Sequence, residues 1–408
     1  MSDQPVLLDN DRSPATPADA FLERIARVLS PDDGPHPLHA PEIDGNAWDY
    51  VKDCLDTGWV SSVGKWVDRF EDMITQTTGA RHAIATVNGT AALHAALHVA
   101  GIRPGDEVLV PAFTFVATAN AISFCGATPH FVECETHGLG MDPAALDRYL
   151  DQALICRDGQ YFNRHTNAPV RGMVPVHCYG HPADMAGLQA IAARYDLILI
   201  EDAAESLGSY LGDRHTGRFG RAGVLSFNGN KTITTGGGGA IITDDELLAR
   251  RMRHLTTTAR AGDGTELIHD AVGFNYRMPN LNAALGCAQL ETLPEKLNAK
   301  RVLAARYADA LSGLDGVTMV MPPDWGHSNH WLNAILFATA QERDDAFALL
   351  NAHGYQCRAV WTPLHHMPMY AGNPRMDLPV TEDLAARGLL LPSGSGLPLK
   401  AATASTDR

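Results

Sequence analysis

Cysteine is sparse and unpatterned in this chain. Seven are present, Cys54, Cys125, Cys134, Cys156, Cys178, Cys287 and Cys357, an odd number with no CxxC pair. That argues against a disulfide framework and against a zinc site, and a reducing cytoplasm is the expected compartment. Positive charge is also short: 32 Lys and Arg stand against 47 Asp and Glu, a formal net charge of −15. A nucleic-acid or membrane-surface binder needs a basic face to meet phosphates, so those classes are set aside, while a local pocket for a small phosphate ligand is not. No long apolar run is available. The most apolar stretch, VLVPAFTFVATANAISF (108–124), is broken by Pro111, Thr114, Thr118 and Asn120 and falls short of the ~20 residues of a membrane span. The first twenty residues lack a basic stretch followed by an apolar one, so a signal peptide is not expected. There is no internal repeat and no extended low-complexity tract.

What remains is the profile of a folded enzyme. Apolar residues make up 45% and charged residues 19% of 408 positions, more chain than one core usually supports, so two lobes are expected. From about 80 to 245, short Val/Ile/Leu-rich runs alternate with helical patterns, which predicts an α/β fold with a mostly parallel sheet sandwiched by helices. The strands are EVLVP (107–111), HFVEC (130–134), RGMVPV (171–176), LILIED (197–202), GVLSFN (223–228) and GAIIT (239–243). Crossover helices fall at 90–101, 118–126, 142–151 and 184–196, where apolar residues recur three and four apart. The polar segment 153–169 reads as an excursion. A long helical pattern from Asn280 to about Gly313, with Pro294 marking a kink or a break near its middle, reads as a connector to a smaller α+β lobe. The expected organisation is an N-terminal arm (1–40), a large domain (41–270), the connector and small domain (271–395) and a tail (396–408) whose last residues, AATASTDR, fray.

The chemistry concentrates between Asp202 and Gly239. Asp202 ends an apolar run, where a buried carboxylate needs a partner or a ligand, and Lys231 lies in SFNGNKTITTGGGG (226–239) before four glycines that permit close approach of backbone to a ligand. A lysine taken at random is a solvated surface residue; these surroundings point elsewhere. A carboxylate can keep the pyridine nitrogen of pyridoxal phosphate (PLP) protonated, and a lysine amine can hold its aldehyde carbon as a Schiff base. Strand alternation sends only one of Glu201 and Asp202 toward a cofactor. Glu205 is three residues beyond, in reach of the ring hydroxyl, with an exposed glutamate at a helix start as the alternative. Asn88, Gly89 and Thr90 open an amphipathic helix whose free N–H groups suit a phosphate dianion, and Ser226 adds a hydroxyl; an ordinary helix cap is the plain alternative. His177 and His181 have the spacing of metal ligands on a helix, but Gly180 and Pro182 argue against a helix there, and no metal is assigned. Trp59, Trp66, Trp325 and Trp361 are taken as core or interface.

Together, GWVSSVGKWVDRFE (58–71), ATVNGTAALHAAL, GDEVLVPAFTFVATANAISFCGATPHFVE, VPVHCYGHPADM, EDAAESLG, SFNGNKTITTGGGG, GFNYRMPNLNAALGCAQL (273–290) and RAVWTPLHHMPMY (358–370) resemble the DegT/DnrJ/EryC1/StrS sugar aminotransferases, among the fold-type I PLP enzymes. The wording of VSSVGK, NGNKTITTGGGG and VWTPLHHMPMY is most similar to the LegC-like branch. The resemblance implies Lys231 as Schiff-base lysine, Asp202 at the pyridine nitrogen and Glu205 near the ring hydroxyl, a position where glutamine or histidine is common in the family. It also implies Gly89, Thr90 and Ser226, with Asn228 beside them, around the phosphate, Phe115 stacked on the ring, and Asn275 reaching the cofactor of a neighbouring subunit in a homodimer. By motif position, Lys65, Arg277 and His177 are the expected substrate contacts. The implied reaction moves the amino group of L-glutamate to the C4 ketone of a UDP- or GDP-linked 4-keto-6-deoxyhexose, in surface-polysaccharide or nonulosonic-acid type synthesis. The alternatives are a PLP-dependent sugar dehydratase on the same scaffold, which Lys231 disfavours, and a non-catalytic PLP-binding sugar sensor.

Overall fold

The computed structural model describes residues 16–262 and 266–400. The fraying expected of 401–408 lies outside these residues. Seven strands form the central sheet, in spatial order His82–Thr86, Gly239–Thr243, Ala222–Ser226, Ile198–Asp202, Val170–Met173, Glu107–Pro111 and Thr128–Val132. The last five are mutually parallel, whereas Gly239–Thr243 runs antiparallel to both of its neighbours. The strands Glu107–Pro111 and Gly239–Thr243 are where the sequence puts them, and each is buried along its whole length, which is why each reads as an unbroken apolar run. The strand His82–Thr86 was not anticipated: its HAIAT is short and alanine-rich, and only the partner Gly239–Thr243 gives it a place in the sheet.

Helices Gly89–Ala100, Val116–Phe124, Pro143–Ala153 and Met185–Arg194 cover the sheet, each within two residues of its expected position. Their starts are written in side chains: Asn88, Asp142 and Asp184 each accept a bond from the amide three residues on. The polar excursion is a two-stranded hairpin, Leu154–Arg157 with Gln160–Asn163. It is fastened to the sheet edge through the buried Glu107, which accepts from Asn163 Nδ2 at 2.9 Å, from the Thr166 hydroxyl and from the His130 ring at 2.8 Å.

The connector is two helices, Asn280–Glu291 and Leu293–Leu311, separated at Thr292 (φ −103°, ψ 8°). Of the kink and the break expected at Pro294, the structure has the break: the proline sits in the first turn of the second helix, where its missing N–H has no helical partner to lose. The described part of the arm is no loose extension: helix Pro17–Ala26 buries Phe21, Leu22 and Ile25 among Leu303, Tyr307, Leu311, Ile335, Phe337 and Leu350, completing the core of the small lobe. That lobe is an antiparallel sheet ordered Val317–Met319, Asn333–Phe337, Gly388–Leu391, Arg358–Ala359. Among the described residues, no helix is long and apolar enough to cross a membrane.

The strand Ile198–Asp202 ends in two carboxylates that its pleat sends to opposite faces. Glu201, fully buried, accepts from the amides of Gly217 (2.7 Å), Phe219 (2.5 Å) and Gly220 (2.6 Å) and from His177 Nε2 at 3.0 Å. Four donors on one carboxylate replace the water it has lost and pin the loop 217–220 beneath the sheet. Replacing Glu201 by Ala strands these donors and is expected to destabilise the fold by about 3 kcal/mol or more, read from urea unfolding; a loss under ~1 kcal/mol contradicts this role.

Candidate functional site

Outside the carboxyl ends of the parallel strands opens a cavity of about 550 Å³. Asp202, Glu205, Ser226 and Lys231 all line it, with Asn88, Gly89, Thr90, Phe115 and Asn228. These residues come from four separate stretches of chain, so the convergence is a product of the fold.

Asp202 sits at one side. Its Oδ2 accepts from the Thr118 hydroxyl at 2.8 Å and its Oδ1 from the Ala204 amide at 3.1 Å. Each oxygen thus retains a lone pair for a further donor. On the same cavity, Lys231 Nζ donates to Glu205 Oε1 at 3.2 Å and lies 3.8 Å from the centroid of the Trp331 ring. The ammonium is therefore held by a charge and an aromatic face together. Glu205 is buried, not the exposed helix-start residue of the alternative reading, and its Oε2 accepts the Tyr179 amide at 2.9 Å. Burial pushes its carboxyl up to about 6, against the pull of Lys231 and that amide.

The third side is the start of helix Gly89–Ala100, capped by Asn88 Oδ1 on the Ala91 amide at 2.8 Å. The first-turn N–H groups of a helix have no partners within it and favour an anion. Backbone must come close here. A Cβ at Gly239 would meet the Asn88 carbonyl carbon at 2.5 Å, and one at Gly89 would meet Ser226 Cβ at 3.0 Å, so both positions need glycine for the helix start, Ser226 and the sheet end to sit together.

Not every expected residue arrives. His177 is corrected: it is fully buried, its Nε2 on Glu201 and its Nδ1 accepting the Ala183 amide at 3.1 Å, so neither nitrogen is free for a substrate. Lys65 is exposed and paired with Asp53 at 2.9 Å, and Arg277 pairs with Glu71 at 3.0 Å; neither lines the cavity of its own chain. Nor does Asn275, which bridges to Thr257.

Other residues line the cavity unannounced. Trp361, assigned to core or interface, is on its wall, with Leu38, Asn230, Trp331 and Arg358. Arg358 has no ion-pair partner among the described residues and so leaves one cation free at the wall. Trp331 was legible only as part of an apolar strand. Its indole Nε1 donates to the Asn230 carbonyl at 2.7 Å, and its own carbonyl accepts from Lys300 Nζ at 3.1 Å. Lys300 is buried without a carboxylate, donating also to the Ser393 carbonyl at 2.5 Å and contacting His39 Nε2 at 2.9 Å; burial pulls its amine down to about 7.

The profile of the DegT/DnrJ/EryC1/StrS aminotransferase family matches residues 41–404. The chain is 39% identical to the GDP-perosamine synthase of Caulobacter vibrioides across 88% of its own length and 93% of that relative. It is 36% identical to the putative pyridoxal phosphate-dependent aminotransferase EpsN of Bacillus subtilis, over 88% and 91% of the two chains. Its fold superposes on DesI, whose structure was determined in the presence of its TDP-sugar product, with a TM-score of 0.78, 31% identity and coverage of 92% and 93%.

Glu205 gives this site a pH signature. A carboxyl whose folded pKa is raised adds stability below its unfolded value, and that stability is lost as pH climbs through the folded one. The cofactor-free Glu205→Gln variant is therefore expected to gain thermal stability on the wild type between about pH 4.5 and about pH 6, with no such gain at lower pH. A difference independent of pH contradicts the buried, titrating carboxyl.

Proposed function

This protein belongs to the DegT/DnrJ/EryC1/StrS aminotransferase family, and from that premise we propose that it uses PLP to move the amino group of L-glutamate to the C4 ketone of a GDP-linked 4-keto-6-deoxyhexose. The observation that carries this is the convergence of the Lys231 amine, the Asp202 carboxylate and a helix start with Ser226 on one cavity. The names of the relatives favour a nucleotide-linked sugar, and three of them, at 36% to 39% identity, are GDP-perosamine synthases, which favours GDP over UDP.

The residues present fit PLP. The helix start at Gly89 packs directly against Ser226, so its amides and that hydroxyl lie side by side for a phosphate, Asp202 keeps lone pairs for a further donor, and Lys231 lines the same cavity. Bound there, PLP would supply an electron sink for the negative charge that develops on the carbon bearing the amine. Asp202 would hold the proton on the pyridine nitrogen, a role for which its buried position between Thr118 and Ala204 keeps the carboxylate oriented. Lys231 would take the proton from the α-carbon of the amino donor and carry it at Nζ until delivery, as a general base and then acid. Glu205 and the face of Trp331 hold the protonated form of that amine in place meanwhile. Phe115, about half exposed on the cavity wall, would cover the ring.

A homodimer belongs to the same proposal. Trp48, Leu55, Trp59, Val60 and Val63 expose large apolar side chains on one stretch of chain, with Leu267, Ile268 and Val272 on another. Asn275, Lys65 and Arg277, which miss their own cavity, would then serve that of the partner.

The test is the visible absorbance of the PLP-loaded protein on adding L-glutamate and then, separately, GDP- and UDP-linked 4-keto-6-deoxy sugars. Glutamate is expected to bleach the band and a GDP sugar to restore it. Restoration by UDP sugars alone overturns the choice of GDP, and an unchanged band with glutamate contradicts the aminotransfer itself. Lys231→Ala is expected to lower kcat by about 10³-fold or more; turnover at the wild-type rate would refute the assigned role.

A further inference from the structure

Away from the cavity wall, His365, His366 and Glu382 turn their donor atoms toward one point. His365 Nε2 lies 2.7 Å and His366 Nε2 2.8 Å from the same carboxylate oxygen, Oε1 of Glu382. All three donors fall within 4.8 Å of one another. The His365 ring is buried and its Nδ1 has no partner, so its whole polar commitment is at Nε2, toward Glu382. His366 and Glu382 are half-exposed, which gives an ion a way in and leaves positions for water.

We propose that His365, His366 and Glu382 form a binding site for a divalent transition-metal ion of the zinc class. Two imidazoles and one carboxylate suit zinc, nickel or cobalt and disfavour magnesium and calcium, which take oxygen ligands. The supports are rigid before any ion arrives. The short helix Leu364–His366 is tied to the end of strand Glu107–Pro111 by the Leu364 amide on the Ala112 carbonyl at 2.9 Å. Helix Pro379–Arg387, which carries Glu382, has the amides of Val380 and Thr381 bound to Glu133 at 2.8 and 2.9 Å, just past strand Thr128–Val132. Ligands on two anchored elements lose little freedom on binding. Metal–ligand bonds near 2.0 to 2.1 Å in a tetrahedral arrangement would part the nitrogens and the oxygen by about 0.5 Å beyond their present separation, within reach of the half-exposed Glu382 side chain. The ion would clamp the small-lobe helix to the segment that continues from the cavity wall at Arg358 and Trp361. Neither the unpatterned cysteines nor the His177 and His181 pair pointed to a metal, and the adjacent histidines meet Glu382 only in the fold. The site stands independently of the aminotransferase reading.

The test is titration calorimetry of the PLP-loaded wild type, freed of metal by a chelator, with zinc chloride. One ion per chain is expected, bound on the order of tenfold or more weaker by His366→Leu and by Glu382→Gln. No saturable binding in the wild type overturns the proposal, and so does binding that both variants leave unchanged. A second measurement needs no variant: cobalt(II) on the wild type is expected to show the intense visible bands of a low-coordinate site, saturating at one ion per chain. The weak spectrum of the hydrated ion throughout overturns the proposal as well.

Discussion

Two consecutive carboxylates at the end of one buried strand set the terms for the rest of the site. The pleat forces Glu201 and Asp202 apart, and each must find donors on its own side because neither can be buried alone. Glu201 finds three amides and His177, which folds the 217–220 loop under the sheet. Asp202 finds one hydroxyl and one amide and keeps the remainder of its capacity for the cavity. The fully satisfied carboxylate builds structure; the partly satisfied one is available for chemistry.

The same contrast separates what could be read in the sequence from what could not. Lys231, Asp202, Ser226 and the Asn88–Thr90 helix start each carry a local signature: a strand end, a glycine run, a cap. These share one cavity in the structure. The parallel strands were legible because burial on both faces writes itself as an uninterrupted apolar run, and the helix starts because their caps are encoded three residues ahead. Strand His82–Thr86 was not, since it depends on a partner over 150 residues away, whereas the break in the connector was announced by Pro294.

His177 shows the limit of motif position. Its neighbourhood in HCYGHP looks functional, yet both ring nitrogens are spent on holding Glu201 and the Ala183 amide. Trp331 shows the reverse. Nothing in WLNAILFA distinguishes its first residue from core, but the fold sets that indole over Lys231 and fixes its carbonyl with Lys300, itself buried against His39 and Ser393. Three segments distant in sequence, 38–39, 331 and 393, thereby meet behind the lysine. No periodicity in any one of them reports that meeting, and the supposed arm is in consequence part of the wall.

The central claim is that Lys231, which shares its cavity with Asp202, is the residue that engages PLP. Borohydride reduction of the PLP-loaded protein, followed by proteolysis and mass spectrometry, tests it most directly, because reduction fixes the cofactor to whichever amine holds it. The account predicts the added mass on the peptide containing Lys231 and on no other. Label on Lys300, on a surface lysine such as Lys65, or on none, would contradict it.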